Sequence, residues 1–68
     1  MAGGVYKYID VVGTSGKSIE DAIATAVTQA SKSVRNIYWF EVAETRGKIE
    51  DGKVVEYQVR LRLGFKLD

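Results

Sequence analysis

The stretch KVVEYQVRLRLGFKL, residues 53–67, alternates along almost its whole length. Val55, Tyr57, Val59, Leu61, Leu63, Phe65 and Leu67 fall on one face of an extended chain. Glu56, Gln58, Arg60, Arg62, Gly64 and Lys66 fall on the other. A period of two sustained this far predicts a long strand with one apolar face. Asp51-Gly52, just before it, predicts a hairpin, because a two-residue type I′ turn needs positive φ at both positions. Residues 37–49 then read as the antiparallel partner. A two-residue loop places Glu50 opposite Lys53, Thr45 opposite Gln58, Glu41 opposite Arg62 and Trp39 opposite Gly64. In this register Phe40, Val42, Leu61 and Leu63 share the face expected to lie under a helix. Trp39, Glu41, Arg60 and Arg62 share the opposite face.

Upstream, Ile19, Ala22, Ile23, Ala26, Val27, Ala30 and Val34 step by three and four, one face of an α-helix. Ser18 is the expected N-cap. Asp21 completes an approximate capping box, and Glu20 adds negative charge near the helix start. Lys32 and Arg35 are expected to complement the other end, with Asn36 closing the helix. The alanines allow close packing on whatever lies beneath. Before the helix, residues 5–13 read as an incompletely patterned strand: Val5, Lys7, Ile9 and Val11 on one side, Tyr6, Tyr8, Asp10 and Val12 on the other. Gly13-Thr14-Ser15-Gly16 is expected to break it. The order strand, helix, strand, strand, with a right-handed crossover, makes the first two strands parallel. The long third strand lies between them, antiparallel to both, as in a split β-α-β sheet. The expected class is α+β, with a three-stranded antiparallel-type sheet wrapped on one helix in a single domain over residues 1–68.

Composition narrows the function classes. The 68 residues hold neither cysteine nor histidine. Disulfides, thiolate metal sites and the commonest near-neutral general base are therefore excluded. The net charge of +1 gives no global attraction to nucleic acid or an anionic membrane. No apolar run reaches the roughly 20 residues that span a bilayer. The start, Met1-Ala2-Gly3-Gly4, has no signal-peptide pattern, so a cytoplasmic location is expected. Chains below about 70–80 residues usually need disulfides, metals or self-association to be stable. Only the last remedy suits this composition. The lengths agree with it. A helix over residues 18–34 covers roughly 25 Å, whereas a strand over residues 53–67 runs roughly 50 Å. The uncovered apolar surface calls for a second chain.

Four residues stand out as candidates. Trp39, outward and opposite Gly64, is either a flat stacking platform or an interface filler. Gln58 can donate and accept together, as a ring edge with adjacent C=O and N–H groups requires, or it is an ordinary surface amide. Trp39 and Gln58 lie six strand positions apart, roughly 20 Å. They can therefore share one small ligand only across a symmetric interface. Arg46 and Lys66 are candidate phosphate partners or solvated charges. The Gly13-Thr14-Ser15-Gly16 loop before a helix superficially suits an anion, but it lacks both the dinucleotide fingerprint and the P-loop ending. It reads better as a tight turn.

Val11-Val12-Gly13-Thr14-Ser15, the alanine-rich helix, Trp39-Phe40-Glu41-Val42, Arg46-Gly47, Tyr57-Gln58-Val59 and Gly64-Phe65 together resemble the dodecins, in order and spacing, from about Val5 to Leu67. The resemblance implies a hollow homododecamer of β-α-β-β subunits with flavins bound in pairs between subunits. It implies that the isoalloxazine ring lies against Trp39 and that Gln58 contacts the ring. FMN is the implied ligand, with riboflavin or lumichrome as alternatives, and coenzyme A binds some bacterial members. The implied role is flavin storage with photoprotective quenching by tryptophan, not catalysis. Tyr38 and Lys66 depart from the usual pattern. Lys66 stands where bacterial members often carry arginine, so phosphate recognition is expected to be looser. Two other readings of the residues remain: a structural oligomer without a ligand, and a single-strand nucleic-acid binder using Trp39, Arg60 and Arg62. The balanced charge and Glu41 in the same patch oppose the latter.

Overall fold

The computed structural model describes residues 3–67; the expectation resting on Met1-Ala2 lies outside them. Strand β1 (Tyr6–Ser15), helix α1 (Ile19–Ala30), strand β2 (Ile37–Glu50) and strand β3 (Lys53–Lys66) follow in order. The sheet order is β1-β3-β2, with β3 antiparallel to both neighbours, as the alternation and the crossover rule require. Asp51 at φ 53° and Gly52 at φ 77° form the expected turn.

The core is small. Val59, Leu61 and Leu63 of β3 are fully buried under Ala22 and Ala26 of α1, with Ile9, Val11, Ile23, Val27, Ala30 and Ile37 packed around them. Burying each large aliphatic side chain stabilises by about 1.5–3 kcal/mol. The helix lies on β1 and β3, not on the hairpin partner β2. Phe40 and Val42 therefore stay 47% and 46% exposed, contrary to the expectation that they sit beneath it. Ile49, Val54 and Val55 are also bare toward the hairpin tip. A 12-residue helix is only about 18 Å long, and the molecule extends 56 Å along its longest axis.

The helix begins as expected and ends sooner. The Ser18 side chain accepts from the Asp21 backbone N–H at 3.0 Å. The Asp21 carboxylate takes a different partner from that of a simple capping box. Ser15 Oγ donates to Asp21 Oδ2 at 2.7 Å and accepts from the Lys17 N–H at 2.9 Å, tying the end of β1 to the helix start. At the other end α1 stops at Ala30, so Val34, Lys32, Arg35 and Asn36 are all outside it. Lys32 N–H and Ser33 N–H donate to the carbonyls three residues back, Gln29 and Ala30. The last turn thus tightens, as helices often do at their ends, around serines that favour turns. Asn36 at φ 64° then redirects the chain into β2.

Gly13 does not break β1; the strand runs on through Thr14 to Ser15. A Cβ at Gly13 would lie 2.2 Å from the Ala22 carbonyl oxygen and 2.8 Å from the Ala26 Cβ. The glycine marks where helix and strand touch backbone to backbone, and it is neither a turn nor a phosphate loop.

The hairpin register matches at both ends and differs in the middle. Glu50–Lys53, Glu41–Arg62 and Trp39–Gly64 pair as expected. Between them β3 carries one extra residue, Val55, and β2 carries another, Ala43, so two bulges of opposite sense cancel. Within that window every pair is offset by one: Thr45 faces Val59, and Arg46, not Thr45, faces Gln58. A third irregularity at Tyr38 separates Ile37 from Trp39. It lets Ile37 join the core while Trp39 takes the outer face.

Candidate ligand site

The sheet face away from the helix carries two groups of side chains. At one end Trp39 lies flat along β3. A Cβ at Gly64 would fall 2.3 Å from Trp39 Cε2 and 2.5 Å from Cζ2, so the missing side chain is what seats the indole. Tyr6 and Tyr8 approach from β1, the strand on the other side of Gly64. Their ring centroids are 5.0 and 5.9 Å from that of Trp39, at interplanar angles of 54° and 87°. Trp39 remains 38% exposed, with the two tyrosines beside it. Tyr8 sits directly opposite Gly64 in the β1–β3 ladder, as Trp39 does in the β2–β3 ladder. A residue without a side chain in the central strand lets the outer strands meet above it. Sequence reading put Tyr6 and Tyr8 on one face but gave them no role. The register of β1 against Gly64 was the missing signal.

Polar contacts frame this cluster. The Tyr8 hydroxyl donates to Glu41 Oε2. Arg62 stands 5.6 Å from the Tyr8 ring centroid and donates from Nε to Asp10 Oδ1 at 3.1 Å. The hydrogen bond to Asp10, then its charge, raises the Arg62 pKa further above its ordinary value, so the guanidinium is a fixed cation here.

Toward the hairpin tip, Arg46 Nε donates to Gln58 Oε1 at 2.7 Å, and Gln58 Nε2 donates to Glu56 Oε1 at 2.8 Å. Arg60 and Glu44 pair at 3.6 Å beside them, and Val12 completes a shallow depression lined by these groups. The compensated bulges create this contact, since the unbulged register would set Thr45 beside Gln58. The structure therefore brings Arg46 to Gln58 and leaves both remote from Trp39. Lys66 pairs with Tyr6 at the Trp39 end. Six β3 positions, roughly 20 Å, separate the two groups within one chain. Among the described residues no three carboxylates converge as a metal site would need, and no helix is long and apolar enough to cross a membrane.

A short helix on a three-stranded sheet, with an aromatic platform at one end of the sheet's bare face and a polar group toward the other, defines a small β-α-β-β protein. The Dodecin family model matches residues 5–68, and the chain belongs to the dodecin family. It is 48% identical over 66 residues to the dodecin of Thermus thermophilus, covering 97% of this chain and 96% of that one. The solved dodecin of Streptomyces coelicolor superposes with a TM-score of 0.93 at 47% identity, covering 100% of this chain and 97% of that one. A more distant relative, 38% identical over 63 residues and covering 93% of this chain and 89% of its own, is the calcium dodecin of Mycobacterium tuberculosis.

Proposed function

We propose that this protein binds and stores a flavin, FMN or riboflavin, in sites formed between subunits of a hollow homododecamer, and that it does no catalysis on the flavin. The observation that carries the reading is the indole of Trp39 seated flat on Gly64, 38% exposed on a sheet face that the helix does not cover. Such a surface suits a planar aromatic ring. Gln58 from another subunit supplies an amide for the ring's polar edge. Its Oε1 and Nε2 each keep one hydrogen-bonding position beyond the contacts to Arg46 and Glu56. Phe40, Val42, Ile49, Val54 and Val55 form the apolar surface that assembly would bury. Twelve chains of 7.5 kDa should elute as a particle of about 90 kDa. Stable monomers or dimers at micromolar concentration, by light scattering, would defeat both the assembly and the shared site. Calcium belongs to the name of one relative.

Flavin fluorescence during titration of stripped protein tests the site. Trp39→Ala should weaken both flavins several-fold or more, since an aromatic stack is worth about 1 kcal/mol beyond its buried area. The flavin still bound should emit more strongly with its quencher removed. Unchanged affinity and quenching would rule out the stack.

Gln58→Leu leaves ring polar atoms unpaired and should cost about 1–3 kcal/mol toward either flavin. Arg46→Ala should also weaken both, because Arg46 orients the Gln58 carbonyl. The two losses should be less than additive in the double variant. Lys66→Ala should affect FMN alone, in a manner that salt diminishes. Should Lys66→Ala weaken riboflavin equally, the phosphate assignment fails.

A further inference from the structure

We propose that Tyr8 and Glu41 form a proton-coupled relay that refills Trp39 after it loses an electron. The proposal rests on the flavin reading only for its natural oxidant, a photoexcited flavin stacked on the indole. The arrangement of side chains is a property of the single chain. Tyr8 is 5.9 Å from Trp39 centroid to centroid, close enough for direct electron transfer between rings. A phenol gives up an electron readily only when its proton leaves with it. The Tyr8 hydroxyl already donates to a carboxylate, Glu41 Oε2, so the acceptor is in place before oxidation. Tyr6 is nearer, at 5.0 Å, and its ring continues to Tyr38 at 6.0 Å. Among the described residues, the Tyr8 hydroxyl is the one beside the indole that is joined to a base.

The oxidant takes one electron from Trp39, leaving an indole cation radical. Tyr8 passes one electron to the indole, and its phenolic proton moves to the Glu41 carboxylate. Trp39 is restored, Tyr8 is a neutral phenoxyl radical and Glu41 is a carboxylic acid. Return of the electron from the reduced oxidant to Tyr8, and of the proton from Glu41, restores the starting state with no net chemistry. Arg62 at 5.6 Å disfavours a positively charged ring at Tyr8. A neutral phenoxyl carries no such charge, so the cation selects the proton-coupled route over simple electron loss.

Pulse radiolysis with azide radical, which oxidises indoles by one electron, tests the relay on the flavin-free oligomer. In the parent protein the indolyl absorption should decay as phenoxyl absorption grows, more slowly in deuterated water. Tyr8→Phe should suppress most of the phenoxyl growth and lengthen the indolyl lifetime at least about tenfold; Glu41→Gln, which keeps an acceptor but removes the base, should slow the transfer by a similar factor. Tyr57→Phe, far along β3, should follow the parent. The relay is overturned if Tyr8→Phe transfers like the parent, if Tyr6→Phe instead removes the phenoxyl, or if Glu41→Gln and deuteration both leave the rate unchanged. Because no flavin is present, these results stand apart from the ligand titrations. Loss of flavin binding with an intact relay would sink the storage reading alone.

Discussion

Gly13→Ala should leave the chain largely unable to hold its helix on the sheet. The new methyl would sit 2.2 Å from the Ala22 carbonyl oxygen and 2.8 Å from Ala26 Cβ. The first of these contacts is helix backbone, at the fourth residue of α1, and cannot swing aside as a side-chain tip can. Relief requires α1 to lift from β1, which separates Ala22 and Ala26 from Val59, Leu61 and Leu63. Those five residues are the buried hydrophobic core. Overpacking a core typically costs about 1–3 kcal/mol, and this contact belongs at or above the upper end. A small domain has little reserve against such a loss. The expected outcome is loss of helical circular dichroism at ordinary temperature, or a melting transition lowered by well over 10 °C, about 4–8 °C being lost per kcal/mol in a domain this small. Size-exclusion should show the oligomer lost with it. A Gly13→Ala protein that melts with the parent would mean that helix and strand can part by the width of a methyl group at no cost.

Gly64→Ala should do the opposite: spare the fold and damage the site. Its Cβ would fall 2.3 Å from Trp39 Cε2, 2.5 Å from Cζ2 and 2.8 Å from Cδ2. All three are atoms of an indole that is 38% exposed and free to lift. The strand itself should gain slightly, since glycine inside a strand is unfavourable. Melting should therefore stay within about 1 kcal/mol of the parent. The lifted indole would no longer lie parallel to the sheet, and its contacts with Tyr6 and Tyr8 would open. Flavin affinity should fall at least several-fold, as for Trp39→Ala, since the stack worth about 1 kcal/mol is misaligned. Tryptophan emission should shift even without ligand. Parent-like emission and parent-like flavin affinity would show that the flat seat is not what makes the platform.

The two glycines show how far the sequence could be read. Gly64 sits in a perfect alternation, so its place opposite Trp39 followed from counting residues back to the Asp51-Gly52 turn. Gly13 sits beside Gly16 in a polar run, where a break is the natural reading. Only the position of α1 shows it to be a contact between backbones. The register shows the same division. Both ends of the hairpin were legible because the turn and the alternation fix them independently. The middle was not, because a pair of opposed bulges leaves no trace at either end. That hidden offset decides that Arg46 meets Gln58.

Residue pattern alone was enough to determine the order of elements, the central place of β3, the outward face of Trp39 and the excess of apolar strand surface over what one helix covers. These depend on local periodicity, turn chemistry and chain length, which act through near neighbours. The resemblance to the dodecins followed from the same string of motifs. Tertiary structure alone decided that α1 ends at Ala30 and leaves β2 beyond Ile37 exposed. It also decided that Tyr6 and Tyr8 flank the indole, that Tyr8 reaches Glu41 and that Arg46 meets Gln58. Each of these depends on distances between segments remote in sequence, here Tyr8 and Glu41 across a strand that carries no side chain at Gly64. Such distances are set by how the helix and the bulged strands pack together, a balance of contacts that no short stretch of the chain contains.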